Sequence, residues 1–179
     1  MLPNYPANIL AIAKNIKLLI CDVDGVLSDG KVYLTNQGDE IKSFNIKDGL
    51  GIKLLQKSGI QVAIITGRHS TIVERRAKEL GIQHVYQGRS DKRSTFDEIV
   101  SLLSLTPAQV AHIGDDLPDL PLMKRAGLGI SVADGYEFVR EQADWVTTTS
   151  GGQGAVREVA DLLLHAQQRL DDILDGYMT

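Results

Sequence analysis

Short apolar runs alternate with longer amphipathic segments along most of this chain. The run Ile16-Lys17-Leu18-Leu19-Ile20-Cys21 ends at the turn signal Asp22-Val23-Asp24-Gly25 and reads as a buried parallel strand. Residues 31–35 and 40–46 alternate apolar and polar around Asn36-Gln37-Gly38-Asp39, which predicts a β-hairpin inserted ahead of the first amphipathic helix. Beyond it the pattern predicts helices over 49–58, 70–80, 94–103 and 117–125, strands over 62–66, 84–86, 110–114, 128–132 and 145–147, and a long helix over 154–172. Gly81 stops the second helix, and Asp134 with Glu137 opens a short one before the last strand. At Thr106-Pro107-Ala108-Gln109 a capping-box turn competes with the strand that follows, leaving room for one helical turn.

Such alternation makes an α/β fold, a doubly wound, mostly parallel sheet with helices on both faces. Right-handed crossovers predict the strand order 3-2-1-4-5-6, counted without the hairpin. The length suits one domain over 1–179, with the hairpin insertion at about 30–46 and a C-terminal helix and tail at about 154–179. Nineteen Lys and Arg against 23 Asp and Glu leave a net charge of -4, which argues against nucleic acid as a partner but permits a local basic pocket for an anionic small molecule. No apolar stretch approaches the roughly 18 residues of a membrane span, so no membrane partner is expected. Residues 1–15 lack the basic segment and apolar core of a secretory signal, and a cytoplasmic location is expected. The lone Cys21 falls inside the first strand, where it is expected to be buried.

Asp22 and Asp24 emerge at the carboxyl end of that strand, where open α/β sheets bind ligands. They are separated by a single residue, and a turn at Gly25 would bring both to one centre, which suits a hard cation held by a carboxylate and a carbonyl. Three further groups fall at strand ends or just beyond: Thr66-Gly67-Arg68, Lys92, and Gly114-Asp115-Asp116-Leu117-Pro118-Asp119. A Thr66 hydroxyl, the backbone donors of the following turn and the compact charge of Lys92 suit a phosphoryl group. Such a group cannot approach stacked carboxylates without a cation between them, and Mg²⁺ asks for oxygen ligands that Asp22, the carbonyl of Asp24 and Asp115 can provide. Mn²⁺ and Co²⁺ remain open. Each signal alone has an ordinary reading as a turn acid or a solvated lysine; their order along one sheet points to function.

These motifs resemble those of the haloacid dehalogenase superfamily of phosphohydrolases, whose Rossmann-like core matches Asp22-Val23-Asp24-Gly25, Thr66-Gly67, Lys92 and Gly114-Asp115-Asp116-Leu117-Pro118-Asp119. The resemblance implies two-step hydrolysis: Asp22 as nucleophile, Asp24 as acid and then base, Thr66 and Lys92 as holders of the phosphoryl charge. Longer stretches are similar to the capless 3-deoxy-D-manno-octulosonate 8-phosphate phosphatases of lipopolysaccharide sugar biosynthesis, namely Asp22-Val23-Asp24-Gly25-Val26-Leu27-Ser28-Asp29-Gly30, Phe44-Asn45-Ile46-Lys47-Asp48-Gly49, Ile64-Ile65-Thr66-Gly67-Arg68 and Gly151-Gly152-Gln153-Gly154-Ala155-Val156-Arg157-Glu158. That likeness implies a phosphorylated sugar acid held by Asp24, Asn45, Ile46, Lys47, Asp48, Gly49, Lys53, Gly67, Arg68, Arg76 and Lys92, in a homotetramer joined through its hairpins. Lys47 and Lys53 stand where the family usually has arginine, trading a two-pronged grip for a point charge. Related enzymes act on nonulosonate 9-phosphates, and receiver-like phosphate-sensing modules share an acidic pair, a Thr and a Lys.

Neither the gap between Asp24 and Thr66 nor that between Lys92 and Asp115 can hold a cap domain, so the crevice stays open unless another chain covers it. The Gly151-Gly152-Gln153-Gly154 turn reads as flexible enough to reach a neighbour. On the helix over 70–80, Arg76 falls inside the apolar arc of Ile72, Val73, Ala77 and Leu80. A charge there either lays its stem over apolar surface or reaches a subunit interface or an anionic substrate. His69, His84, His112 and His165 show no metal spacing and read as surface or packing residues.

Overall fold

A computed structural model describes residues 5–178; Met1 to Asn4 and Thr179, part of the expected domain, lie outside the described residues. At its centre is β1 (Leu18–Cys21), buried along its whole length. Leu18 and Ile20 pack with Phe96, Ile99 and Leu122, whereas Leu19 and Cys21 join a larger cluster with Ile9, Leu55, Val73, Val156 and Leu163. Burial on both faces is why this strand is a continuous apolar run and not an alternating one. The larger cluster lies under α1 (Ala7–Ala13), α2 (Ile46–Lys57), α3 (Thr71–Leu80) and α7 (Ala155–Ala166), and the smaller under α4 (Lys92–Leu102) and α5 (Leu120–Met123).

The six parallel strands run in the order β5 (His84–Tyr86), β4 (Gln61–Ile65), β1, β6 (Val110–Gly114), β7 (Leu128–Ser131), β8 (Trp145–Val146), the expected 3-2-1-4-5-6. Cys21 pairs with Ile64 on one side and Ile113 on the other, so Asp22, Thr66 and Asp115 follow directly on three neighbouring strands. The chain turns back from β5 to β6 beside β1, which opens a crevice at their carboxyl ends. Between β1 and α2 stands the hairpin, β2 (Tyr33–Leu34) against β3 (Glu40–Ile41). It is shorter than its alternation suggested because no third strand covers it, and Val32, Leu34 and Ile41 stay exposed.

Several expectations need correction. The helix expected over 117–125 is split into a 3₁₀ turn, Leu117–Asp119, and the four residues of α5, because Pro118 and Pro121 donate no N–H. The helix α6 (Glu137–Gln142) begins after Tyr136, and Asp134 does not cap it: its Oδ1 accepts the Gly151 N–H at 2.8 Å. The long helix over 154–172 breaks after α7. Gln168 is left-handed at φ 57°, the Gln167 amide turns to the carbonyl of Ile16 at 2.9 Å, and α8 (Leu170–Gly176) restarts with Leu170 buried. Short α1, buried only at Ile9 and Ala13, went unread in the pattern. Among the described residues no helix is long and apolar enough to cross a membrane.

The glycine turn before α7 is packed in its own chain and not free to reach outward. Gly152 donates to the Val26 carbonyl at 2.8 Å, and the Glu158 carboxylate accepts the Thr148 and Thr149 N–H groups at 2.9 Å. A Cβ on Gly151 would stand 1.7 Å from the Gly25 carbonyl oxygen, so only glycine lets the two loops touch. Gly151→Ala is expected to cost about 1–3 kcal/mol, read as a lowered Tm in thermal denaturation, with a larger proportional loss of activity because the loop after β1 has to shift.

Candidate active site

The loop after β1 closes on Gly25, whose φ of 93° belongs to the left-handed region, and a Cβ there would stand 2.1 Å from Asp115 Oδ2. Backbone and carboxylate can approach this closely only without a side chain. The two acids meet different partners: Asp22 accepts from Lys92 Nζ on the crevice floor, while Asp24 points to the hairpin and bonds Lys42 Nζ.

Lys92 is the first residue of α4, whose N-cap Asp91 accepts the Ser94 N–H at 3.1 Å, so the helix starts two residues before its expected onset. A cation is unfavourable at a helix N-terminus and doubly so when buried. Two carboxylates offset this: Nζ lies 2.8 Å from Asp22 Oδ1 and 2.7 Å from Asp119 Oδ1. Burial lowers the Lys92 pKa, but Asp22 and Asp119 outweigh it and raise it above the ordinary value.

Asp119 was present in the strand-end motif without an assigned role, and it proves to be the hub. Its Oδ1 also meets His112 Nε2 at 3.2 Å, and its Oδ2 accepts the N–H groups of Asp115 at 3.1 Å and Asp116 at 3.4 Å. Against the cost of burial, His112 and then Lys92 hold its carboxyl well below the usual range. His112 is fully buried, a packing residue as expected, but one that also steadies this acid.

Carboxylate oxygens of Asp22, Asp115 and Asp119 lie within 4.8 Å of one another. Lys92 answers the charge of Asp22 and Asp119; burial and then the charges of Asp22, Asp119 and Asp116 push Asp115 up to about 8. Asp22 is likewise raised, by burial first and by Asp119 second. This surplus of negative charge on oxygen donors fits a hard divalent cation. Because both Asp119 oxygens are engaged, Asp22 and Asp115 are the carboxylates best placed to ligate.

The crevice, about 350 Å³, is lined by Asp22, Asp24, Thr66, Gly67, Arg68, Lys92 and Asp115 among others, so these expected site residues meet. Thr66 is buried at its floor. Asn45, Ile46, Lys47, Asp48, Gly49, Lys53 and Arg76 stand apart from it. Asn45 caps α2 by accepting the Lys47 N–H at 2.8 Å, while Ile46, Lys47 and Lys53 are exposed. Asp48 is buried with Oδ1 on the Arg157 N–H at 2.8 Å, and burial pushes it up to about 6 against the pull of those α7 N–H groups and Arg76. Arg76 borders the same small apolar cavity as Phe44, Asn45, Asp48 and Gly49; its guanidinium carbon lies 5.9 Å from the Phe44 ring and Nη1 3.0 Å from Glu79. Its misplaced charge has thus found partners. Glu40 and Lys42 were missed, although their i, i+2 spacing on a hairpin strand puts both on one face.

Residues 45–127 match the family of haloacid dehalogenase-like hydrolases. Over 166 residues the chain is 52% identical to the 3-deoxy-D-manno-octulosonate 8-phosphate phosphatase of Escherichia coli (strain K12), covering 93% of this chain and 88% of that one. The chain belongs to this phosphatase family. The family member from Moraxella catarrhalis, solved with a magnesium ion, a phosphate ion and a KDO molecule, is 47% identical with a TM-score of 0.94 over 97% of this chain and 99% of that one. The cobalt-bound family member from Haemophilus influenzae is 40% identical with a TM-score of 0.89 over 94% and 99%.

The raised pKa of Asp115 makes the fold sensitive to pH. Between the unfolded carboxyl value of 3.8 and about 8 the folded protein holds a proton that the unfolded chain lacks, so metal-free stability falls as pH rises through that window. Mg²⁺ competes with the same proton, so its affinity is expected to drop about tenfold for each pH unit below 8. Calorimetric titration and Tm measured from pH 6 to 9, with and without EDTA, check both trends.

Proposed function

We propose that this chain hydrolyses 3-deoxy-D-manno-octulosonate 8-phosphate to the free sugar acid and phosphate, in lipopolysaccharide sugar biosynthesis. The observation that carries the reading is the meeting of Asp22, Thr66, Lys92 and Asp115 in one crevice, with Asp24 and Arg68 at its mouth. Asp22 attacks phosphorus, forming a bond from its carboxylate oxygen as the bond from phosphorus to the sugar O8 breaks. Asp24 donates the proton that O8 needs to leave, then takes a proton from the water that attacks the aspartyl phosphate and releases inorganic phosphate. Lys92, fixed between Asp22 and Asp119, keeps the nucleophile aimed and faces the phosphoryl oxygens with Thr66 and Gly67. A Mg²⁺ ion held by Asp22, the Asp24 carbonyl and Asp115 supplies charge neutralisation when bound, and Mn²⁺ or Co²⁺ would suit the same donors.

Arg68 holds the sugar acid at the mouth. The contacts assigned to Asn45, Ile46, Lys47, Lys53 and Arg76 come from a neighbouring copy, which closes a crevice left open in the single chain, while the buried Asp48 and Gly49 serve by shaping the start of α2. A cytoplasmic homotetramer of one-domain chains joined through hairpins belongs to this reading. The exposed apolar side chains of Val32, Leu34, Ile41 and Ile46 support that assembly.

Phosphate release from a panel of phosphorylated sugar acids and a small aryl phosphate tests the proposal. The octulosonate 8-phosphate is expected to give the highest kcat/KM, with activity lost on chelation and reduced by about 10³-fold or more in Asp22→Asn. Arg76→Ala is expected to weaken turnover of the sugar phosphate more than that of the aryl phosphate. Preference for a nonulosonate 9-phosphate would reassign the substrate, and no hydrolysis of any phosphomonoester would make the chain a phosphate-sensing module.

A further inference from the structure

The hairpin brings two charged side chains to the crevice mouth that the chemistry above does not use. Lys42 Nζ bonds Asp24 Oδ1 and lies 3.4 Å from Glu40 Oε1. The same Glu40 oxygen accepts Arg68 Nη2 at 2.7 Å, and its Oε2 accepts Ser70 Oγ at 3.1 Å, at the residue preceding α3. Arg68 Nε stands 4.0 Å from Asp24 Oδ2, which closes Asp24, Lys42, Glu40 and Arg68 into a ring of alternating charge. The ring is driest at Lys42, whose side chain is 2% exposed, and most open at Arg68, at 48%. A buried ammonium has to keep both its carboxylates, so Lys42 ties Asp24 to Glu40.

We propose that Glu40 is a positioning residue that aims Arg68 at the anionic end of the sugar and, through Lys42, holds the Asp24 carboxylate over the phosphoryl site. The inference rests on the roles given above to Arg68 and Asp24 and deepens them: the hairpin belongs to each catalytic unit as well as to the contact between subunits. Arg68 has five N–H donors in a planar fork, so one edge on Glu40 leaves others for a carboxylate. Anchoring a long, half-exposed cation beforehand lowers the rotamer freedom lost when the ligand arrives. The two hairpin residues then act on different kinetic constants. Glu40 acts mainly on the sugar end, hence on KM for the sugar acid. Lys42 acts on the proton-transfer group, hence on kcat for any phosphomonoester.

Steady-state kinetics of the intact assembly, its mass checked by sedimentation, separate these effects with the octulosonate 8-phosphate and p-nitrophenyl phosphate as substrates. Glu40→Gln is expected to raise KM for the sugar phosphate about tenfold and to lower kcat/KM for it at least about fivefold more than for the aryl phosphate. In an Arg68→Ala background the same change is expected to add less than about twofold, since its target is gone. Glu40→Asp, which keeps the charge, is expected to recover part of the KM. Lys42→Met is expected to lower kcat about tenfold on both substrates, while Gln37→Ala in the hairpin turn changes neither. Equal losses on both substrates in Glu40→Gln, or the same added loss with and without Arg68, would overturn the role of Glu40, and an unchanged kcat in Lys42→Met would overturn the hold on Asp24. Wild-type protein that hydrolyses only the aryl phosphate would defeat the substrate reading instead, with Lys42→Met still deciding the link to Asp24.

Discussion

A buried ammonium between two buried carboxylates is the constraint on which the rest of the site depends. Lys92 begins a helix, faces the interior and remains charged because Asp22 and Asp119 both reach it. Asp119 in turn spends its second oxygen on the backbone after β6, so one acid fixes the cation, the loop and, through His112, the strand below. With Asp115 beside them, three carboxylates face one ammonium, which leaves the cluster two positive charges short. A divalent ion fills that deficit, and only then can an anionic phosphoryl group come near the nucleophile.

The sheet explains why such distant residues can share this small space. Asp22, Thr66 and Asp115 are separated by long stretches of chain, but parallel pairing aligns the ends of β1, β4 and β6, and the reversal of strand order beside β1 leaves a gap above them. The insertion after β1 adds no lid of its own, only a hairpin of two short strands. Chemistry is therefore built into the chain's own sheet, and the hairpin stands at the mouth of the crevice.

Much of this was readable from the residues. Strand order and the meeting of Asp22, Thr66, Lys92 and Asp115 follow from short apolar runs that end in acids, a hydroxyl or glycine, because parallel strands buried on both faces leave few arrangements. What could not be read depends on contacts between residues far apart in sequence. Asp119 looked like one more acid of a turn until the fold brought His112 and Lys92 to it. Asp134 had the spacing of a helix cap, yet the Gly151 N–H offered it a better donor. At the break beside Gln168, the neighbouring Gln167 amide donates to the carbonyls of Ala13, at the end of α1, and of Ile16, just past it, and periodicity within 154–172 carries no trace of that. Glu40 and Lys42 resembled an ordinary solvated edge because their partners, Arg68 and Asp24, belong to other loops.

The close approach of Gly151 to Gly25 also bears on how the protein comes into being. The loop carrying the nucleophile is made early in synthesis, yet part of its wall is a glycine turn made near the end. A chain that has assembled β1 and its neighbours still lacks the backbone that braces Val26, so the wall of the nucleophile's loop depends on a contact of long sequence separation, the kind whose closure slows folding.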